Sequence, residues 1–173
     1  MTGHLPSGVV GPDEGRTDWM GGLSVRLLVA AAETGGAFSV VEHRLLPREL
    51  AAPLHRHARE DELSLVTDGT IGFVLGEEVQ TAGPGSLVRK PRDQWHTFYN
   101  AGDDEARLLE VITPAGFERY FAELVTLFPP DVPPDLPAVE AASERYGLTM
   151  DFASLPGLVE RFGLVAPPEL GAG

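Results

Sequence analysis

The sequence predicts an all-β body, either a sandwich or a barrel, followed by short C-terminal helices. Its 173 residues include 20 Gly and 15 Pro, and this much punctuation favours many short elements joined by turns. Between residues 22 and 113, strand-like runs recur at intervals of roughly 8–12 residues with turn residues between them. Beyond residue 114 the apolar residues return at a spacing of three to four, which indicates helices.

The first two predicted strands form a hairpin. Residues 25–34 and 37–46 flank Gly35-Gly36, a pair that favours a two-residue turn between antiparallel strands. In the second run one set of alternate residues is predicted to face the core. That set is Val41, His43 and Leu45.

The remaining strands are short runs between turn residues. A strand through His55 and His57 would place both imidazoles on one face, because residues two apart on a strand point the same way. Six more strands are predicted over residues 62–67, 70–75, 77–82, 86–91, 95–100 and 106–113. The number and length of these runs fit one barrel.

The flanks of the barrel are predicted to differ from it. Aromatic and leucine residues at helical spacing predict a helix over residues 116–128, and two shorter helices are expected to end at Gly147 and Gly163 in left-handed backbone. The sequence therefore divides into three parts: an N-terminal arm (1–21), a β-barrel (22–113) and a C-terminal helical extension (114–173). The arm, which contains His4 without an assigned role, and the apolar helices together predict a homodimer.

Charge and composition exclude several classes of function. The formal net charge is −13, so a nucleic-acid backbone or an anionic membrane would be repelled, and neither is expected as a partner. The chain has no cysteine, which removes disulfide scaffolds, thiolate zinc sites and cysteine nucleophiles. It also lacks the pattern of a signal peptide or a membrane span, so a cytoplasmic location is predicted.

Three histidines and a glutamate are candidate ligands for one divalent transition metal: His55, His57, Glu62 and His96. An antiparallel barrel can bring His96 to the other three, since strands distant in sequence become neighbours across its interior. Imidazoles with one carboxylate suit Fe, Mn, Ni, Cu or Zn rather than Ca or Mg. Four protein ligands on an octahedral ion would leave two positions open for a small organic substrate, water or dioxygen. Asp61 is the alternative carboxylate, although it and Glu60 are expected to lie in a solvated loop.

The two segments that carry these residues resemble the two sequence motifs of the cupin superfamily. The first segment (55–69) supplies His55, His57, Glu62 and Gly69; the second (85–100) supplies Gly85, Pro91, His96 and Asn100. The resemblance implies a small single-domain cupin with a jelly-roll barrel, also called a double-stranded β-helix, with short helices packed on it. It also places the same three histidines and Glu62 at the metal. Two positions depart from the pattern, with Glu49 and Asp93 where glycine is common, and Asp93 is expected to keep the turn because Asp tolerates left-handed backbone.

Roles are also predicted for four other residues of the barrel. Phe98 shares a strand face with His96 and is the candidate substrate-pocket residue. His43 is expected to be a hydrogen-bonded core residue, and Trp95 and Tyr99 are expected to pack in the barrel or an interface.

Three classes of function are compatible with this site. The first is a metal-dependent dioxygenase similar to the single-barrel cupins compared with quercetin dioxygenase, in which Glu62 would act as both a ligand and a catalytic base. The second is a non-redox isomerase, cyclase, lyase or hydrolase that uses the metal only as a Lewis acid. The third is a non-catalytic module that binds a small molecule. Fold and ligand set alone do not choose among them.

Overall fold

Two antiparallel sheets face each other and enclose the core. The computed structural model describes residues 8–129 and 132–165, so His4 lies outside the described residues. One sheet has six strands in the order β1-β2-β3-β10-β5-β8, and the other has five in the order β11-β4-β9-β6-β7. The strands are β1 (Thr17–Met20), β2 (Leu23–Val29), β3 (Ser39–Leu45), β4 (Leu54–His57), β5 (Asp61–Asp68), β6 (Ile71–Leu75), β7 (Glu78–Ala82), β8 (Leu87–Lys90), β9 (His96–Asn100), β10 (Ala106–Thr113) and β11 (Leu148–Asp151). The helices are α1 (Ala31–Thr34), α2 (Glu118–Leu127), α3 (Leu136–Arg145) and α4 (Leu155–Phe162), with a single 3₁₀ turn at Phe152–Ser154 before α4.

The predicted jelly-roll barrel with added helices is confirmed. Alternate residues of the strands fill the space between the sheets, as a strand with one buried face requires. Val41, Leu45 and Leu108 of the larger sheet and Ile71 and Phe73 of the smaller one have no measurable exposure. These side chains belong to one continuous hydrophobic cluster, which extends beneath α2 and α3.

The predicted hairpin turn at Gly35-Gly36 is wrong. Strands β2 and β3 do pair antiparallel, but β2 ends at Val29 and the short helix α1 occupies the connection. The helix forms because the Glu33 carboxylate accepts a hydrogen bond from the Ala30 N–H at 2.7 Å. Gly35, at φ 62°, ends this helix instead of turning the hairpin.

Two strands arise where none was predicted. Strand β1 comes from the stretch assigned to the N-terminal arm and pairs with β2 at the sheet edge. Strand β11 lies among the C-terminal helices and pairs with β4 in register, Met150 opposite His55. Both are edge strands of four residues, too short to show alternation, and only their partners define them. The three-part division itself stays a prediction.

The C-terminal helices cover one side of the barrel. Three side chains at the start of α2 and along it point inward and are buried: Phe117, Tyr120 and Leu124. The predicted helix stops are confirmed, since Gly147 and Gly163 have φ values of 74° and 61°. Among the described residues, no helix is long and apolar enough to span a membrane.

Candidate metal centre

The structure brings the four candidate ligands together at one place inside the barrel. His55 and His57 lie on the inward face of β4, Glu62 is the second residue of β5, and His96 begins β9. His55 and His96 are directly opposite in the β4–β9 pair. One ligand atom from each of the four residues lies within 4.8 Å of the others, and all four residues are at most 7% exposed. Two ligand atoms bound to one ion at about 2.1 Å each lie at most roughly 4.2 Å apart. Small movements of the side chains would therefore bring the four atoms to coordination distance.

Backbone carbonyls set the orientation of two imidazoles. His55 donates its Nδ1–H to the carbonyl of Pro53 at 2.8 Å, and His96 donates its Nδ1–H to that of Gln94 at 2.9 Å. Each ring therefore leaves Nε2 as the nitrogen with a free lone pair. Burial, followed by the neighbouring His96 and His57, holds the pKa of His55 well below its usual range, so its ring is neutral. A neutral imidazole is the form that binds a metal.

The site has the polar atoms that a cation would satisfy. The Nε2 atom of His96 lies 3.3 Å from Oε2 of Glu62 without hydrogen-bond geometry, and both atoms are buried. The Nε2 atom of His57 lies 3.4 Å from the other oxygen of Glu62. Buried nitrogens with lone pairs that face one carboxylate are a donor set for Fe, Mn, Ni, Cu or Zn. The residues present thus fit the predicted divalent transition metal, whose identity they leave undetermined.

The two acidic residues before Glu62 behave differently from each other. Asp61 points outward and pairs with Arg92 at 2.7 Å, with 40% of its side chain exposed, so it does not compete as a ligand. The Arg92 hydrogen bond lowers the pKa of Asp61 to about 2. The prediction that Glu60 lies in a solvated loop is wrong, because its side chain is buried with Oε2 3.8 Å from Nδ1 of His57. At this distance the two buried atoms make no hydrogen bond, so His57 differs from His55 and His96, whose Nδ1 atoms are held by backbone carbonyls.

A buried charge network beside Glu62 was missed by the sequence reasoning. Nζ of Lys90 lies 2.9 Å from Oε2 of Glu62 and 2.7 Å from Oε2 of Glu110, and Ser64 donates its hydroxyl to Glu110 at 2.9 Å. Burial raises the pKa of Glu110 to about 7. The available signal was Glu110 itself, a lone carboxylate with two apolar residues on either side of it in the strand. Such a residue on an inward face needs a partner.

A cavity lies next to the four ligands, and its walls are mainly apolar. Phe98 lines it, as its shared face with His96 predicted, and its ring centroid is 5.8 Å from that of His43. His43 is the expected hydrogen-bonded core residue, with Nδ1 3.1 Å from the Ser24 carbonyl, but it also lines the cavity. Trp95 and Tyr99 lie away from it: the Arg56 guanidinium covers Trp95, and Tyr99 stacks on Phe162.

Turn residues between the strands hold the ligand segments in place. Asp93 has φ 62°, as its left-handed turn was predicted to require, and its N–H donates to the carbonyl of His57 at 2.8 Å. This bond ties the loop before His96 to the strand that carries His57. Gly69 has φ 70°, and a Cβ there would lie 2.7 Å from that of Ala106, so no larger residue fits the turn after β5.

The fold and the cluster together define a class of protein: a two-sheet barrel whose interior holds three histidines and a glutamate that could bind a metal ion. Residues 41–112 match the family described as "Cupin domain", which includes all four candidate ligands. Over these residues the barrel therefore matches the family that the two motifs implied.

Solved structures agree with this fold. KdgF from Halomonas sp. superposes with a TM-score of 0.58 at 14% identity, over 66% of this chain and 99% of that one. The polyketide cyclase RemF from Streptomyces resistomycificus gives 0.55 at 23% identity, over 62% and 80% of the two chains. An oxalate decarboxylase variant from Bacillus subtilis gives 0.52 at 20% identity, over 59% of this chain but only 28% of that one. At these identities the likeness concerns the fold alone. No curated protein sequence matches the chain.

Proposed function

We propose that the protein is a metal-dependent dioxygenase that acts on a small organic substrate. The observation that carries the proposal is the ligand set itself: three buried histidines and one glutamate beside a mainly apolar cavity. A divalent transition metal bound there would supply open coordination positions and, if redox-active, a means of activating dioxygen. We infer that the metal ligands are His55, His57, Glu62 and His96.

Glu62 is the candidate catalytic residue. Burial alone would raise the pKa of its carboxyl, but Lys90 and His57 outweigh burial and hold that pKa well below the usual range. Glu62 is therefore ionised at neutral pH, as both a ligand and a proton acceptor must be. Its carboxylate would accept a proton from a substrate hydroxyl in the cavity.

The rest of the cavity would orient the substrate and exclude water. Phe98 and Phe117 both line it, and the Phe117 ring centroid lies 4.4 Å from that of His57. Apolar walls this close to the ligands favour a substrate that presents a single polar edge to the centre. They also keep bulk water from the reacting atoms.

The test begins with metal-free protein loaded separately with Fe(II), Mn(II), Ni(II), Cu(II) or Zn(II). Oxygen uptake is then measured with a flavonol, a β-diketone and a catechol. We expect uptake with at least one redox-active metal, none with zinc, and loss of both metal and uptake in His55→Ala.

Other outcomes would point to the alternative classes. Absence of uptake with every metal would overturn the proposal. Conversion of a substrate by the zinc form alone would indicate a non-redox isomerase, cyclase, lyase or hydrolase. A ligand that stays bound after His55→Ala, without turnover, would indicate a binding module.

We also propose that the protein is a cytoplasmic homodimer. Trp19 on the edge strand β1 is 43% exposed, an apolar side chain that a second copy could cover. Size-exclusion chromatography with light scattering should give twice the mass of one chain. A mass equal to one chain would contradict the dimer.

A further inference from the structure

A second cavity lies between the C-terminal helices and the barrel. Its walls are mainly apolar, and of the residues that the structure describes no Lys, Arg or His lines it. The one carboxylate at its edge, Glu49, accepts a hydrogen bond from the Gly22 N–H at 3.3 Å. The residues that line this cavity but not the metal cavity include Leu50, Phe128, Leu136, Val139, Phe152 and Leu155.

The second cavity is adjacent to the metal cavity. Seven residues line both: Met20, Leu23, Ala51, Ala52, Tyr120, Leu124 and Met150. The cavities have volumes of about 100 Å³ and 60 Å³. An apolar cavity of about 150 Å³ holds a benzene ring, so spaces of this size take a short apolar group.

We propose that the substrate is amphipathic, with an oxygen-bearing head at the metal centre and an apolar tail in the second cavity. The apolar tail is the occupant that fits this arrangement, because the second cavity is apolar and shares the side chains of Tyr120 and Leu124 with the space beside the ligands. Burial of a tail there removes apolar surface from water on both partners. The head depends on the proposed function of the metal centre, whereas the tail site does not.

The charges in the two cavities disfavour polyanionic substrates. Lys90 is the nearest buried cation, but its ammonium is already shared between Glu62 and Glu110. Tyr120, the polar side chain common to both cavities, has its hydroxyl 3.0 Å from that of Ser143. A sugar phosphate or a dicarboxylate would therefore lose its hydration without gaining a positive partner besides the metal.

The experiment measures binding rather than turnover. The zinc-loaded protein, which is redox-silent, is titrated by calorimetry with catechol, ethylcatechol, butylcatechol and hexylcatechol. We expect the affinity to rise by about two- to fourfold for each added methylene group, as for transfer of methylene groups from water into an apolar site. Glucose phosphate and oxalate should bind more weakly than butylcatechol.

Two variants locate the tail. Leu136→Trp fills the second cavity from its half-buried edge, and we expect it to abolish the gain in affinity beyond ethylcatechol. Val79→Trp changes an exposed residue of β7 to the same side chain and should keep the full gain.

Three outcomes would overturn the proposal: an affinity independent of chain length, an undiminished gain in Leu136→Trp, or tighter binding of the polyanions. The same titrations on metal-free protein separate this proposal from the oxygenase. A gain with chain length that persists there supports the tail site even if no oxygen uptake is found.

Discussion

The Nζ atom of Lys90 lies 2.9 Å from Oε2 of Glu62, which ties a proposed metal ligand to a buried lysine. The two residues face each other directly in the β5–β8 pair. Burial alone would lower the pKa of Lys90, but the carboxylates of Glu110 and Glu62 outweigh it and raise that pKa. The lysine therefore stays charged with two carboxylates around it, and it restrains the Glu62 oxygen that faces His96.

Replacement of this lysine should destabilise the metal-free protein. Lys90→Met leaves Glu62 and Glu110 buried without their cation. Loss of one partner of a buried charge pair costs about 3–5 kcal/mol, and urea unfolding in the presence of a chelator should show a loss of that size.

The control is the double variant Lys90→Met with Glu110→Gln, which removes one negative charge together with the positive one. We expect it to recover a large part of the lost stability, because the two sites are in direct contact and their effects should not add. Additive losses from Lys90→Met and Glu110→Gln would contradict a coupled network.

Histidine substitutions should separate the ligands from an ordinary buried histidine. His96→Ala removes a nitrogen from the cluster and should reduce bound metal to near zero by elemental analysis. His43→Leu is the matched control, because His43 is also buried in the barrel but does not belong to the cluster. Retention of a full equivalent of metal in His96→Ala would refute the assignment of His96.

Of two adjacent carboxylates, only one should affect metal binding. Glu62→Gln keeps the size of the side chain but removes the anionic ligand, so the affinity for zinc should fall by at least tenfold. Asp61→Asn affects only an exposed pair with Arg92 and should leave the affinity unchanged. Competition titrations with a chelating dye would measure both, and equal losses in the two variants would be inconsistent with the choice of Glu62.

Acid should destabilise the protein partly through His43. Burial lowers the pKa of His43 from 6.5 to about 4, so the folded state keeps this ring neutral while the unfolded chain protonates it. The stability that depends on the neutral ring is complete above pH 6.5 and is lost as the pH falls toward 4. The loss should approach about 3 kcal/mol at the acid end, given roughly 1.4 kcal/mol for each pKa unit. Urea unfolding of metal-free protein across this range should show the decline, and His43→Leu should lack this part of it. An identical pH dependence in both proteins would contradict the assignment.

Local patterns were enough to predict most of the barrel. Strand β10 occupies residues 106–113 as predicted. Strand β5 is one residue longer than predicted at each end, and β6 and β9 each begin one residue later than predicted. Alternation carries this information, because one buried face imposes a period of two on every strand. The spacing of His55 and His57 is local in the same sense, and it predicted correctly that both rings share a face.

Other features depend on contacts between residues far apart in the chain. Gly35-Gly36 is a good hairpin signal, yet the α1 turn forms there, with the Ala31 N–H donating to Glu118, 87 residues away. Glu60 and Asp61 are adjacent acids, but one is buried against His57 and the other pairs with Arg92. Nothing in their immediate sequence distinguishes them.

The sequence by itself determined the all-β class and the inward pair of histidines, because both follow from strand periodicity, and its resemblance to the two cupin motifs implied Glu62 and His96 as their partners. Only the tertiary structure decided that Lys90 and Glu110 share the barrel interior with Glu62, and that the C-terminal helices add a second cavity beside the metal centre. These are long-range pairings between strands and helices, and their partners are chosen by how the whole core packs rather than by any local pattern.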